Sequence, residues 1–156
     1  MTKSAERLAE PRGLRDFTRS LPMSLLRARE AVMEEFRPHL RELGVTEQQW
    51  RVLRALNGVE ECRLNELARR TCISMPSLSR IVPALVEKSL LMRRVDQNDG
   101  RSSQVRLTPA GQEFIDRGAA RSESIYKNIE KRVGRERMNS LYQLLDELND
   151  SLETTP

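Results

Sequence analysis

The chain has 156 residues, of which 38% are hydrophobic, 4% aromatic and 32% charged, with a net charge of +4. That length fits one domain, or one domain with an assembly element. With no apolar run of about 18 residues, no apolar signal core near the N-terminus and only Cys62 and Cys72 for thiol chemistry, the composition argues against a membrane span, secretion or a disulfide framework, and a cytoplasmic protein is expected.

Residues 1–19 are polar, contain Pro11 and Gly13, and read as a mobile N-terminal arm. The stretch "SLPMSLLRAREAVMEEFRPHLRELG" then predicts a helix, with Ser20 as its cap and Pro22 in its first turn. Leu25, Val32, Phe36 and Leu40 recur at helical spacing. Pro38 is expected to end or kink this helix, and Gly44 to close it. "TEQQWRVLRALNG" opens with a capping box, Thr46 and Gln49, and Asn57-Gly58 stops it.

"CRLNELARRT" predicts a short helix with Leu64, Leu67 and Ala68 inward. "CISMPSLSRIVPALVEKSLL" predicts the next, capped by Ser74, with Leu78, Ile81, Val82 and Leu85 buried. Its opposite stripe is Pro76, Ser77, Ser79, Arg80, Pro83 and Glu87. Pro83 is expected to bend it, or to let it relax after Ser79. Two short helices with this spacing form a helix-turn-helix pattern. "LLMRRV" and "SQVRLT" predict two strands around "DQNDGRS". Thr108-Pro109 opens another helix, Gly134 breaks it, and a last helix carries Met138, Leu141, Leu144, Leu145, Leu148 and Leu152.

The fold class expected is mostly α with a small β-hairpin: a winged helix-turn-helix flanked by N- and C-terminal dimerisation helices. Its parts are the arm at 1–19, a dimerisation helix at 20–44, the winged domain at 45–108 and C-terminal dimerisation helices at 109–152. Long apolar stripes at both ends exceed what a small winged domain needs, so a homodimer explains them better than a monomeric bundle.

Charge is concentrated. Residues 62–106 hold nine Lys or Arg and four acids, a net +5, which leaves −1 for the rest of the chain. Such a segment is the footprint of a phosphate-backbone binder, here double-stranded DNA. Ser74, Met75, Pro76, Ser77, Ser79 and Arg80 form the candidate contact surface. Short side chains let a helix approach the major groove, and Arg80 can read a guanine edge with two hydrogen bonds. Ser102, Ser103 and the hairpin-tip Arg101 are the candidate wing contacts, with Arg101 aimed at the minor groove. Asp96 and Asp99 are expected to brace Arg94 or Arg101. The bland alternative is a solvated helix face and a solvated loop.

Taken together, "LNELARRTCISMPSLSRIVPALVEKSLL" and the wing "DQNDGRSSQVRLTPAG" resemble the MarR family of transcription regulators. The resemblance covers about residues 20–152. It implies a base-contacting role for Arg80, a wing-tip role for Arg101 and a bracing role for Asp99. It also implies a dimer built from the first and last helices. Ser89 departs from the pattern, which usually has glycine there. More narrowly, "SLPMSLLRAREAVMEEFRPHL" with "GVTEQQWRVLRAL" is similar to the homoprotocatechuate-catabolism (HpaR-type) subgroup. That implies a repressor released by a small aromatic acid, such as 4-hydroxyphenylacetate or 3,4-dihydroxyphenylacetate.

The resemblance places the effector between the dimer helices and the winged domain. Ser24, Arg27, His39 and Trp50 lie on helices that would line such a cleft. Arginine can clamp a carboxylate, Trp50 can stack a ring, and Ser24 or His39 can bond a phenol. Equally, Trp50 fits a core position, Arg27 a surface charge and His39 a helix end. One histidine and two cysteines suggest no metal site and no cofactor, and no catalytic constellation is visible. Two further readings keep the fold and change the use. Cys62 and Cys72 could sense oxidants, although both positions are expected to be buried and inert. Alternatively, the winged helix serves only as a protein-interaction module.

Overall fold

The computed structural model describes residues 13–95 and 103–153. The chain divides into two compact units, residues 1–35 and 36–156.

In the first unit, Asp16 accepts hydrogen bonds from the backbone and hydroxyl of Thr18, at 2.8 and 2.6 Å. This local loop nucleates a 3-10 turn, Phe17–Arg19. Residues 16–19 thus form a turn within the segment 1–19 that is expected to be a mobile arm; residues 1–12 lie outside the described residues. Ser20 sends its hydroxyl back to the Phe17 carbonyl, at 3.1 Å. Helix α1, Leu21–Leu43, starts here with Leu21, Leu25, Leu26 and Val32 exposed.

The second unit takes up α1 at Phe36. Pro38 neither ends nor divides this helix, which runs on to Leu43. Pro38 is exposed, so the backbone bond it forfeits is lost where water can replace it. Helix α2, Glu47–Leu56, carries both halves of the expected capping box at 3.1 Å each. Its Val52, Leu53 and Leu56 are fully buried. Helices α3, Leu64–Thr71, and α4, Met75–Glu87, follow. Helix α4 is one element through Pro83, so it does not stop at Ser79; Pro83 too is exposed.

Strands β1, Cys62–Arg63, β2, Leu91–Val95, and β3, Ser103–Leu107, form an antiparallel sheet in the order β1-β3-β2. The register pairs Leu91 with Leu107 and Val95 with Ser103, while Cys62 faces Val105. The hairpin of the winged helix is thus extended by a short third strand. Helix α5, Pro109–Val133, starts at its Thr108 cap and ends at Gly134. Helix α6, Arg135–Glu153, buries none of its residues: Leu141, Tyr142, Leu144 and Leu152 are all about half exposed or more. Among the described residues, no helix is long and apolar enough to cross a membrane.

Among the described residues, two that are not glycine adopt left-handed backbone, and both flank α4. Cys72 does so at φ 51°, ending α3, and Ser89 at φ 59°, after α4. The turn at 89 therefore has the geometry that glycine favours, although serine occupies it. The wing base fixes that turn. Thr108 donates its hydroxyl to the Ser89 carbonyl at 2.6 Å and its N–H to the Leu90 carbonyl at 3.1 Å. Gly111 then lies so close that a Cβ there would sit 2.1 Å from the Leu90 oxygen.

Gly111→Ala should lower unfolding free energy by about 3 kcal/mol, because a backbone oxygen cannot step aside. Ser89→Gly should raise it by about 0.5 kcal/mol, as relief of left-handed strain outweighs the added freedom of the unfolded chain. Urea denaturation of both variants checks the pair.

Candidate nucleic-acid interface and effector site

Helix α4 buries Leu78, Ile81, Val82 and Leu85 and turns the opposite face outward. That face carries Met75, Pro76, Ser79 and Arg80 exposed and Ser77 half-buried. Ser74 caps the helix: its Oγ accepts from the Ser77 N–H at 3.4 Å and donates to Ser77 Oγ at 2.9 Å. Ser79 donates to the Met75 carbonyl of its own helix at 3.0 Å, which leaves its oxygen free to accept. The helix N-terminus, three short hydroxyl side chains and one exposed guanidinium thus share a surface suited to phosphates and base edges.

The wing is built differently from expectation. Ser103 is only 6% exposed, and its Oγ accepts a hydrogen bond from Arg93 at 2.8 Å. Its place on β3 turns it inward, so Ser103 lacks the exposed hydroxyl expected of a wing contact. Arg94 pairs with Glu61 at 2.9 Å and with Gln104 at 2.8 Å, across the sheet. Glu61 precedes β1, and no local pattern around Arg94 announces it. Asp96, Asp99, Arg101 and Ser102 lie outside the described residues.

The four candidate effector residues divide between the units. Ser24 and Arg27 are exposed on α1 in the first unit. His39 and Trp50 come together in the second. Their rings meet edge-on at 6.3 Å, and Trp50 meets Phe114 in the same way at 6.4 Å. His39 is buried, with Nε2 3.0 Å from the Gly118 carbonyl. A carbonyl only accepts, so Nε2 carries the proton.

Several members of this cluster were not anticipated. A Cβ at Gly118 would lie 2.8 Å from the Trp50 ring, so the missing side chain makes room for the indole. Phe36 and Tyr126 pack at 4.8 Å. Between Gly118 and Tyr126, one turn from each, Ser122 is 3% exposed and its hydroxyl has no hydrogen-bond partner among the described residues. Phe114, Gly118, Ser122 and Tyr126 recur every four residues along α5, which is the sequence signal for this stripe. A buried hydroxyl without a partner costs about 1–3 kcal/mol, which marks this spot as one a polar ligand group could satisfy.

The residues 43–102 match the profile of the MarR family. A homoprotocatechuate degradative operon repressor of Escherichia coli is 38% identical over 128 residues, which span 82% of this chain and 86% of that protein. The chain belongs to the MarR family. Among solved structures, the transcriptional regulator PA4135 superposes with a TM-score of 0.81 at 37% identity, over 88% of this chain and 98% of that one. NadR in complex with 4-hydroxyphenylacetate does so with a TM-score of 0.77 at 34% identity, over 86% and 98%. This protein is thus a winged-helix transcription regulator of the MarR family, similar to a repressor of aromatic catabolism.

The cysteines part company. Cys62 is buried, as expected, and burial pushes its thiol pKa up, with Glu66 adding to the effect and Arg70 opposing it. A raised pKa keeps the thiol protonated, and so unreactive, at neutral pH. Cys72 is exposed, contrary to expectation, because its left-handed backbone at the end of α3 turns the side chain out of the core. A disulfide-exchange reagent at pH 7 should modify one thiol per folded chain, Cys72, and reach Cys62 only after denaturation. Two fast thiols in the native protein would contradict this placement.

Proposed function

We propose that the protein is a homodimeric DNA-binding repressor whose complex with a pseudo-palindromic operator is released by a small aromatic acid. The exposed polar face of α4, capped by Ser74 and carrying Arg80, is the observation that supports DNA reading most directly. Each subunit inserts α4 into a major groove, and the two half-sites lie about one helical turn, near 10 bp, apart. Arg101 enters the flanking minor groove. The dimer forms through residues 20–44 and 109–152, whose exposed leucines then become covered.

The effector reading is supported by the His39–Trp50–Phe114 cluster and by what NadR, a 34% identical structure, is found to bind. The candidate residues are His39, Trp50 and Ser122, with Ser24 and Arg27 added from the sequence. Trp50 offers a ring face, and Ser122 offers a hydroxyl to the ligand's phenol or carboxylate. For release, the effector must bind the non-DNA conformer more tightly than the DNA-bound one.

Binding to specific and scrambled duplexes at several salt concentrations tests the DNA reading. Arg80→Ala should relax preference by about 1–3 kcal/mol at one base position. Arg101→Ala should weaken binding to every sequence and reduce the salt slope by about 1. Binding that ignores salt in the parent protein would instead favour a protein-interaction module.

Ser122→Ala tests the effector site through two signs at once. Removal of a buried unpaired hydroxyl should stabilise the ligand-free protein by about 1 kcal/mol. The same change should weaken 4-hydroxyphenylacetate binding about tenfold, through loss of one buried hydrogen bond. Thermal unfolding and calorimetry read the two effects. Gain of stability with unchanged ligand affinity would remove Ser122 from the site.

A further inference from the structure

Helix α4 is held at both ends from the segments that carry the aromatic cluster. Ahead of it, Arg51 Nη1 donates to the Thr71 carbonyl at 3.0 Å. Thr71 is the last residue of α3, and its own hydroxyl is engaged with the Leu67 carbonyl at 2.6 Å. Its carbonyl is one of those a helix end leaves open, and a guanidinium there is favoured by charge and by the helix dipole. Three residues later Ser74 caps α4, after the left-handed turn at Cys72. Behind the helix, Lys88, the C-cap residue of α4, donates Nζ to the Gly44 carbonyl at 2.8 Å.

Both anchors lie next to the cluster in sequence. Arg51 follows Trp50 in α2, and Gly44 ends α1 five residues beyond His39. Neighbouring residues of a helix point about 100° apart, so α2 offers Trp50 to α5 and Arg51 to the helix-turn-helix. Its Val52, Leu53 and Leu56 are fully buried, so α2 is packed tightly along its length.

We propose that Arg51 and Lys88 are positioning residues that fix α4 relative to the His39–Trp50 cluster and carry the effector's signal to it. The inference rests on the effector reading above. A shift of the cluster then displaces both ends of α4 together. Arg51 carries more of it, because its bond is partly buried whereas that of Lys88 is exposed and competes with water.

Fluorescence anisotropy on a duplex that the wild-type protein selects from a random pool, and on its scrambled counterpart, tests this with and without 4-hydroxyphenylacetate. In wild type, the effector should weaken specific binding about tenfold or more. Arg51→Met should lower the specific-to-scrambled ratio about tenfold and cut the effector's influence to about twofold, while calorimetry shows unchanged effector affinity for the free protein. Lys88→Met should act in the same direction, less strongly. Arg51→Lys, which still presents an N–H to the carbonyl, should restore most of the ratio. An Arg51→Met protein with the full ratio and the full effector response overturns the proposal. If wild type ignores the effector, the effector reading falls and the ratio alone decides: a tenfold loss keeps the positioning role, and no loss removes it. Should Arg51→Met fail to fold, Lys88→Met gives the decision: a lowered ratio and a weaker effector response support the proposal, and wild-type values for both overturn it.

Discussion

Ten residues of α2 must satisfy four neighbours at once, and the second unit is arranged around that demand. Val52, Leu53 and Leu56 have no exposed surface, and the helix touches α3, α4, α5 and β3. Burying such side chains contributes roughly 1.5–3 kcal/mol each, so their places are fixed before any polar contact counts. Trp50 and Arg51 then have little choice of direction. One meets the α5 stripe, and the other meets the carbonyl end of α3. A helix so constrained is well placed to join the proposed effector cluster to the proposed DNA-reading helix.

Close approach is the second constraint. The wing leaves α4 through Ser89 and Leu90 and returns through Thr108 and Gly111. The distance from a would-be Cβ at Gly111 to the Leu90 oxygen leaves no room for a side chain. Strand β3 therefore arrives beside the end of α4 with one geometry. Glycine at 111 has a packing reason, and serine at 89 bears left-handed strain that the Thr108 hydroxyl helps hold in place.

The features legible in the sequence are those set within one turn of chain. The Thr46–Gln49 box, the Ser74 and Thr108 caps and the stop at Gly134 each depend on residues three or four apart. The apolar stripes of α2, α4 and β3 were legible for the same reason. What the sequence hid depends on distant partners. Arg94 finds Glu61 thirty-three residues away, and Ser103 becomes buried by pairing with Arg93 across the hairpin. Pro38 and Pro83 sit inside unbroken helices because tertiary packing holds those helices and both rings face water. The candidate effector site was half legible: His39 and Trp50 do meet, while Gly118 and Ser122 had no motif beyond a four-residue spacing.

Cys72 gives direct access to the motion that the account requires. It is exposed and lies two residues ahead of the Ser74 cap, whereas Cys62 is buried. A nitroxide on Cys72 puts one label at the head of α4 in each subunit of the proposed dimer, and pulsed electron resonance reads the distance between them. The account predicts one distance distribution on operator duplex and a different one when 4-hydroxyphenylacetate is bound. An identical distribution in both states, with the effector shown to be bound, would contradict release by displacement of α4.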